Sequence, residues 1–521
     1  MNFIKITESW YKILRREDLA DDLRKSGFTF HKGGAPDRDE REGGHQSENL
    51  YERPYIFFKD DEAKFNHPVF IDYFEKKVKY FIIKNNPYEK ANFFLYDKGV
   101  YTLCDNDYLK SYVKQMLPME FRKPRIINPL VEDLFYTSDF KNFDDCNPEN
   151  YINFQNGLYN LDTGELEPHN PNILTTRQIN SKYDPDADYS QYVGGAFDTF
   201  MNHFVGGDQS QIQLLLEFIG AAISNIPVYR YKKALFTVGE GDTGKSQLPK
   251  LVQSLIGKRN YYSCKLNKLE TSRFSSANLY NKRLAADPDM TFMHVKELEL
   301  FKVLTGGDEI DAEFKGQNGF NFIFDGLLWF CTNKLPQFGG DKGDHVYKRF
   351  CIVNVVGKTY PKGATPIPGA VEADPRILAK MLKEKPYIVH RALAALAVLE
   401  ENQRFSEAGK QQEALDTYKK TNSSVMQFFD ECIVERPTKD ANGEYRIEDT
   451  TTRADVYNIY VKWCTENSEY KEKKADLFDY IEKQGGNVVI KDGYRYFKKY
   501  TLSLEVKKKF KAFDTTENLS K

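Results

Sequence analysis

The sequence has little that would staple it covalently or hold it in a bilayer. Its seven cysteines are Cys104, Cys146, Cys264, Cys331, Cys351, Cys432 and Cys464. The number is odd and no two stand at a CxxC spacing. That argues against a disulfide framework and a zinc ribbon, and for a reducing compartment. No long apolar run is present. The most apolar stretch, Leu214 to Val228, is short and carries Glu217, Asn225 and Pro227, so it cannot span a membrane. The opening segment, MNFIKITESWYKILRRED, has no apolar signal core. The expectation is a soluble, cytoplasmic protein. Charge excess is also missing: 74 Lys and Arg stand against 76 Asp and Glu, a formal net charge of −2. A uniformly basic nucleic-acid coat protein is excluded, whereas a locally basic face is not, because net charge sums over domains. Neither an internal repeat nor a low-complexity tract is found.

What the chain does have is enough apolar material for several cores. Of 521 residues 40% are hydrophobic and 14% aromatic, while the charged share of 29% is ordinary for a soluble protein. The length suggests about three domains. Residues 6–26 place Trp10, Ile13, Leu14 and Leu19 at helical spacing. Residues 31–50 are polar and glycine-rich and read as a mobile loop. Residues 1–150 are expected to form an N-terminal accessory α+β domain. Residues 151–228 would be a second region of turn-rich strands followed by helices. Residues 229–403 would be a third domain, in which 234–356 alternate strands and helices, arguing for an α/β core, and 376–403 read as helical. The Pro- and Gly-rich segment 357–375 reads as a linker or surface loop, and a polar segment runs from 403 to about 422. Residues 423–521 switch to helices and a terminal hairpin.

The chemistry starts at Gly239-Glu240-Gly241-Asp242-Thr243-Gly244-Lys245-Ser246, a full match to G-x-x-x-x-G-K-[ST]. Glycines at this spacing let backbone N–H groups curl around a phosphate, and a following helix adds its positive end. Lys245 is placed to reach the β- and γ-phosphates and the Ser246 hydroxyl to ligate Mg²⁺. Gly239, Gly241, Asp242, Thr243 and Gly244 form the rest of the cradle. The context fits, with an apolar strand at Leu235–Val238 before it and Leu248, Leu251, Val252 and Leu255 in helical spacing after it. Pro249 is a departure, placed just past the first helical turn, where a missing N–H costs stability. A second GK[ST], Gly357-Lys358-Thr359, lacks the upstream glycine and is set aside.

Downstream, the short strand from Lys282 ends in Asp287-Pro288-Asp289. Phosphoryl transfer to water needs a carboxylate at such a strand end, to hold Mg²⁺ and orient the attacking water. Asp287 and Asp289 are the candidates. Ile310, Ala312 and Phe314 alternate, as do Phe320, Phe322 and Phe324, around an Asn318-Gly319 turn, which predicts a β-hairpin with Lys315 at its tip. A buried-type strand, Leu327–Thr332, ends at Asn333, a residue able to touch a γ-phosphate or the attacking water. Arg349 precedes the apolar stretch Cys351–Val356 and can be presented to the nucleotide of a neighbouring subunit.

In this order (glycine-rich loop, acidic strand end, LTGGDEIDAEFKGQNGF, WFCTNKLP, YKRF) the chain resembles a superfamily 3 helicase of the phage/plasmid and poxvirus primase–helicase type. The LTGGD-x-I-x-A-x-x-K segment is the most specific part. The segment Tyr151–Leu166 also resembles the domain that precedes the ATPase in that group. The resemblance covers about 150–356 well, the C-terminus loosely and residues 1–150 poorly. It implies a P-loop AAA+-like ATPase, using ATP and Mg²⁺, that assembles as a homo-hexameric ring and translocates 3′ to 5′ on single-stranded DNA. It further implies that Lys245 and Ser246 bind Mg-ATP, that Asp287 and Asp289 are the acidic pair, that Asn333 is the sensor, that Arg349 acts in trans and that Lys315 tracks the strand in the channel. Many relatives carry adjacent acids, whereas Pro288 separates them here, so the division of roles between Asp287 and Asp289 is open.

At the C-terminal end, helical stretches at 454–467 and 473–484 are followed by a hairpin with an Asp492-Gly493 turn, the pattern of a winged helix. Between 471 and 511 twelve Lys and Arg stand against six Asp and Glu, interleaved with Tyr494, Tyr496, Phe497 and Tyr500. This composition suits a DNA backbone. Duplex origin DNA is the expected partner, with Lys473, Lys474, Lys491 and Arg495 as contacts. At the other end, Asp60 and Asp61 are adjacent, where a two-metal site wants spaced or convergent carboxylates. His31 and His45 lack a cysteine partner nearby, so metal binding there is not expected. The expected function is an ATP-dependent helicase and replication initiator of a phage or mobile element. A bifunctional primase–helicase and an ATP-switched origin-binding protein that loads another helicase are the alternatives.

Overall fold

The structure, a computed structural model, describes residues 53–60, 62–83, 91–136, 140–313, 319–437, 439, 443, 445–447 and 451–510. The helix expected at 6–26, the loop at 31–50 with His31 and His45, Asp61, and Lys315 at its hairpin tip lie outside these residues. The chain divides into two compact units. The first comprises residues up to Asn147 together with 170–176, and the second comprises 148–169 and everything from Arg177 onward.

In the first unit, strands β1 (Ile56–Lys59) and β2 (Glu62–Phe65) pair antiparallel around a turn in which Asp60 takes φ +54°. Asp and Asn tolerate that left-handed conformation better than most residues. Helix α1 (His67–Lys77) follows, with the Asn66 side chain accepting from the Val69 N–H. Strands β3 (Tyr80–Ile83), β4 (Asn92–Asp97), β5 (Val100–Cys104) and β6 (Phe140–Lys141) form a sheet in the order β5-β4-β3-β6. Helices α2 (Asn106–Met116) and α3 (Pro124–Leu134) complete the unit. Its core is aromatic and aliphatic, built on Phe70, Phe74, Ile82, Phe93, Leu109 and Leu130.

The second unit opens with a three-stranded antiparallel sheet, β7 (Tyr151–Phe154), β8 (Gly157–Asn160) and β9 (Leu166–Glu167), formed by the turn-rich segment. Helices α4 (Ala196–Phe204) and α5 (Gln209–Ile223) lead to the central sheet. That sheet has five parallel strands: β10 (Ala234–Val238), β11 (Tyr261–Ser263), β12 (Leu284–Met290), β13 (Leu327–Thr332) and β14 (Phe350–Asn354). Their order is β11-β12-β13-β10-β14. Helix α6 (Gln247–Ile256) connects β10 to β11, and α7 (Leu266–Thr271) and α8 (Glu299–Gly306) lie further along.

Side chains alternate across the strands, so both faces of the sheet are covered, as an all-parallel sheet requires. Leu235, Leu284, Trp329 and Val353 pack with α5, α6 and the long α9 (Lys385–Asn402). Ala234, Phe236, Phe330 and Ile352 pack with α7, α8 and α10 (Gln411–Asn422). Between β12 and β13, residues 310–312 and 320–322 pair antiparallel, the two arms of the expected hairpin.

After α10 come α11 (Ser424–Cys432), β15 (Ile433–Glu435), α12 (Arg453–Glu466), α13 (Lys474–Lys483) and a hairpin of β16 (Val488–Lys491) and β17 (Tyr494–Phe497). Strand β18 (Tyr500–Leu502) prolongs the hairpin and pairs with β15, and α14 (Leu504–Lys509) closes the described chain. Tyr460, Trp463, Leu477, Ile481 and Phe497 form the core of this part. Among the described residues no helix is long and apolar enough to cross a membrane. All seven cysteines are buried free thiols.

Three local expectations need correction. Pro249 lies at the third position of α6, inside the first turn, where backbone N–H groups have no intrahelical acceptor. It costs no hydrogen bond. The polar segment before 422 contains the helix α10, whose buried residues are only Tyr418 and Asn422, too few to give a helical apolar period. The segment 357–375 is not merely a loop: residues 358–360 pair in parallel with 370–372, leaving 361–369 exposed between them.

A buried ion network braces the amino-terminal end of the sheet. Arg177 Nη1 lies 2.8 Å from Asp325 Oδ2, and Arg283, only 2% exposed, donates to the carbonyls of Asp325, Ala221 and Ile226. Burial pushes the Asp325 carboxyl up, but the two guanidiniums outweigh it and hold it below the usual carboxylate range. Burial also lowers Arg283 to about 10. Replacing Asp325 by Ala leaves two buried guanidiniums facing each other. It is expected to cost about 3–5 kcal/mol, read by denaturant unfolding.

The start of α5 offers a pH test. Asp208 caps it, accepting from the Ser210 and Gln211 N–H groups, and side-chain bonds from Gln211 and Ser210 hold its carboxyl down to about 2. The unfolded value lies near 3.9. The cap's contribution is therefore complete above pH ~4 and fades as pH falls toward 2. Asp208→Ala is expected to cost about 1 kcal/mol at neutral pH, and the gap from wild type should close near pH ~2.

Candidate functional site

The candidate residues meet at the carboxyl edge of the parallel sheet. β10 is the strand from which the glycine-rich loop springs, with neighbours on both sides. At its end the Gly239 N–H donates to the Thr332 carbonyl at the tip of β13, 3.1 Å away, and the Val355 N–H donates to Val238. A Cβ at Gly239 would stand 2.5 Å from the Val355 carbonyl, so only glycine allows that approach. Asp242 and Gly244 take φ +55° and +76°, which bends the chain back toward α6. The Phe200 ring of α4 lies against Gly244. The loop thus runs directly into the start of α6, and a helix N-terminus is a place suited to an anion.

Lys245 folds over this cradle. Its ammonium donates to the Gly239 carbonyl at 2.7 Å, to the Glu240 carbonyl and to the Thr243 hydroxyl. Burial lowers its pKa, opposed by the nearby charges of Asp289 and Asp242. The Lys245 carbonyl is in turn tied to β13, accepting from the Cys331 thiol at 3.4 Å. Burial pushes that thiol up to about 12. Ser246 is the N-cap residue of α6, and its hydroxyl makes no capping bond.

The two acids separate clearly in the structure. Asp287, 1% exposed, ends the regular part of β12, and the pairing with β13 bulges between Asp287 and Met290 to pass Pro288. A bulge is where a strand tolerates proline. Asp287 Oδ1 accepts from the Lys265 ammonium at 2.8 Å, whereas Oδ2 is buried with no hydrogen-bond partner. An orphaned carboxylate oxygen at this strand end is what a hydrated Mg²⁺ would satisfy. Asp289 is exposed, and its N–H turns back to Asp287 Oδ1. Asn333 is exposed at the tip of β13, directly after the residue that accepts from Gly239. Beside it opens a cavity of about 590 Å³, lined by Val238, Asn333, Lys334, Ile352 and Asn354 and walled by α10.

Arg349 is elsewhere. It precedes β14, whose first residue, Phe350, is in register with Ala234 at the start of β10. The loop begins beyond the last residue of β10, so the two lie a strand length apart, about 16 Å. The Arg349 guanidinium donates to the Lys302 carbonyl at 2.8 Å and the Thr305 hydroxyl at 2.7 Å, near the carboxyl end of α8. Within one chain it is not part of the loop site. The C-terminal candidates are apart again: Lys473 and Lys474 stand at the start of α13, and Lys491 and Arg495 on the hairpin.

Sequence reasoning missed three contributors. Lys265, the cation on Asp287, follows a short edge strand and carries no motif. Lys358 and Thr359 belong to the set-aside GK[ST], yet they grip the loop: the Lys358 ammonium is 2.7 Å from the Glu240 carboxylate, and the Thr359 N–H and hydroxyl both donate to the Asp242 carbonyl. The Lys358 ion pair holds the Glu240 carboxyl below its usual range.

Comparison with known proteins gives two family matches. Residues 69–206 match a family described as D5 N terminal like, and residues 237–349 match a family of unknown function, DUF5906. Among solved structures, the apo C-terminal region of NrS-1 is similar at 10% identity, covering 78% of this chain and 81% of that one, with a TM-score of 0.42. A second apo structure, NrS-1 305–718, is similar at 12% identity, covering 81% and 96%, again with a TM-score of 0.42. A ligand-bound JCV helicase is similar at 16% identity over 47% of this chain and 66% of that chain, with a TM-score of 0.23. The D5 N terminal like segment runs from the first unit into the start of the second, and the DUF5906 segment runs from within β10 to Arg349.

The close approach at Gly239 can be tested directly. Gly239→Ala forces a methyl onto the Val355 carbonyl and is expected to lower the unfolding free energy by about 1–3 kcal/mol. Gly241→Ala meets no atom within 4 Å. It should stay within about 0.5 kcal/mol of wild type in the same thermal or denaturant melts.

Proposed function

We propose that this protein is an ATP-driven DNA helicase and replication initiator of a phage or mobile element. In this reading residues 239–246 are a P-loop within an AAA+-like core, and the part after Ser423 is a winged helix. The observation that carries it is the split of the site. The phosphate cradle, Asp287, Asp289 and Asn333 share the carboxyl edge of one sheet, while Arg349 sits at the opposite end of the neighbouring strand. A guanidinium so placed serves a nucleotide only when a second copy presents its own loop, which is the logic of a ring with shared sites. The D5 N terminal like match in front of the loop supports the same reading, because the resemblance to primase–helicases places a dedicated domain there.

Lys245 and the loop N–H groups bind the phosphates of ATP. Ser246 and Asp287 would hold Mg²⁺, which would supply charge neutralisation to the phosphates. Asp289, exposed beside Asp287, orients the attacking water, and Asn333 reports the γ-phosphate. Arg349 leaves Thr305 and stabilises the charge of a neighbour's leaving phosphate. The ring is a hexamer that moves 3′ to 5′ on single-stranded DNA gripped by Lys315, and the C-terminal part binds duplex origin DNA.

Strand displacement on a forked duplex with ATP and Mg²⁺ tests this. Lys245→Ala and Arg349→Ala should each abolish unwinding and cut ATP hydrolysis by at least ~100-fold. Mixed in equal amounts, the two variants should recover hydrolysis at about a quarter of the interfaces, where an intact loop meets an intact arginine. Full hydrolysis by Arg349→Ala alone would rule out the shared site. Hydrolysis by the wild type without strand separation would instead favour the origin-binding switch.

A further inference from the structure

The positive charge of the C-terminal part is unevenly placed. Helix α13 follows α12 across a short turn, the position from which a winged helix would read a major groove. Yet α13 with its N-cap residue carries Asp476, Asp479 and Glu482 against Lys473, Lys474 and Lys483, an even balance with no basic excess. Glu482 is neutralised by Arg453 at 2.6 Å, but Asp476 and Asp479 stay exposed. The Lys474 ammonium is drawn over the rings of Tyr457 and Phe478, at 5.2 and 5.5 Å. Pressed into a groove, this face would set two carboxylates beside phosphates.

The hairpin β16–β17 carries a basic excess, Lys491 and Arg495 against the single carboxylate of Asp492 at the turn. Phe497 and Tyr496 anchor its base, at 2% and 7% exposure. The turn is tight, with Asp492 and Gly493 at φ +51° and +80°, as a two-residue hairpin demands. Cross-strand register places Ile490 opposite Arg495 and Lys491 opposite Tyr494. At the tip Ile490 is 71% exposed and Tyr494 54% exposed, large apolar groups with no internal work to do. Lys491 donates to the Ile447 carbonyl, and no hydrogen bond or ion pair holds Arg495 among the described residues. An exposed aliphatic wedge beside an unengaged arginine fits the minor groove: arginine is drawn by its negative potential, and apolar side chains lever between base steps.

We propose that the protein docks on duplex DNA with the hairpin tip, Ile490 and Arg495 leading into the minor groove, and that α13 stays outside the major groove. This rests on the reading of the C-terminal part as a duplex-binding element. The test is fluorescence anisotropy of the full chain with an A·T-rich 30-base-pair duplex over a salt series. Arg495→Glu combined with Ile490→Ser should weaken binding by at least about tenfold and flatten the salt dependence. Lys474→Glu combined with Lys483→Glu should weaken it by less than about threefold. Netropsin, a minor-groove ligand, should displace the protein, and methyl green, a major-groove ligand, should not. All four positions are on the surface, and unchanged melting curves would exclude misfolding. A tenfold loss in the α13 pair with wild-type binding by the hairpin pair would overturn the proposal, as would displacement by methyl green alone. No duplex binding by the wild type at low salt would remove the duplex-binding reading itself.

Discussion

One buried strand carries the rest of the second unit. Ala234–Val238 has parallel partners on both sides and helices on both faces, so it has no freedom to slide or tilt. A one-residue slip would exchange its two apolar faces and expose neither to water, but it would drag the glycine loop off the tip of β13. The backbone approach of Val355 to Gly239 adds a second restraint at the same point. Residues brought near this strand's end inherit its position, which is why a loop, an acid from β12 and an amide from β13 can converge without contacting one another through side chains.

The ends of the sheet are treated differently. The amino edge is closed by charged groups that pair with one another, Arg177 and Arg283 with Asp325, while Arg283 also donates to the carbonyls of Ala221 and Ile226 and keeps its buried Nε without a hydrogen-bond partner. The carboxyl edge keeps polar atoms uncommitted, among them Asp287 Oδ2 and the amide of Asn333. Buried groups without partners are costly. The two ends differ in kind: opposite charges pair with one another at the amino edge, whereas at the carboxyl edge a buried carboxylate oxygen, Asp287 Oδ2, stands open.

Much of this arrangement was legible from local signals. The strand–loop–helix at 234–256 follows from an apolar run, fixed glycines and a helical repeat, and the Asp492-Gly493 hairpin from turn chemistry alone. Contacts between distant residues were not legible. Thr359 reaches Asp242 across 117 positions, and nothing in a Pro- and Gly-rich stretch announces that its backbone will pair. Lys265 meets Asp287 only because β11 and β12 are neighbours in the sheet, a fact of topology rather than of spacing. α10 was missed because a helix lying on a sheet edge with one buried ring needs no apolar stripe. The difference in burial between the two acids was not legible either, because it depends on the bulge at Pro288.

The arm from Lys358 to Glu372 has a practical consequence. Its root is bonded to Glu240 and Asp242 inside the glycine loop, yet residues 361–369 touch no core. Such a segment accepts insertions and labels at little cost. A fluorophore or spin label attached there would sit within a few residues of Lys358 and Thr359, which hold the glycine-rich loop, while leaving every packed layer intact. It would turn the loop's own rearrangements into an optical or magnetic signal.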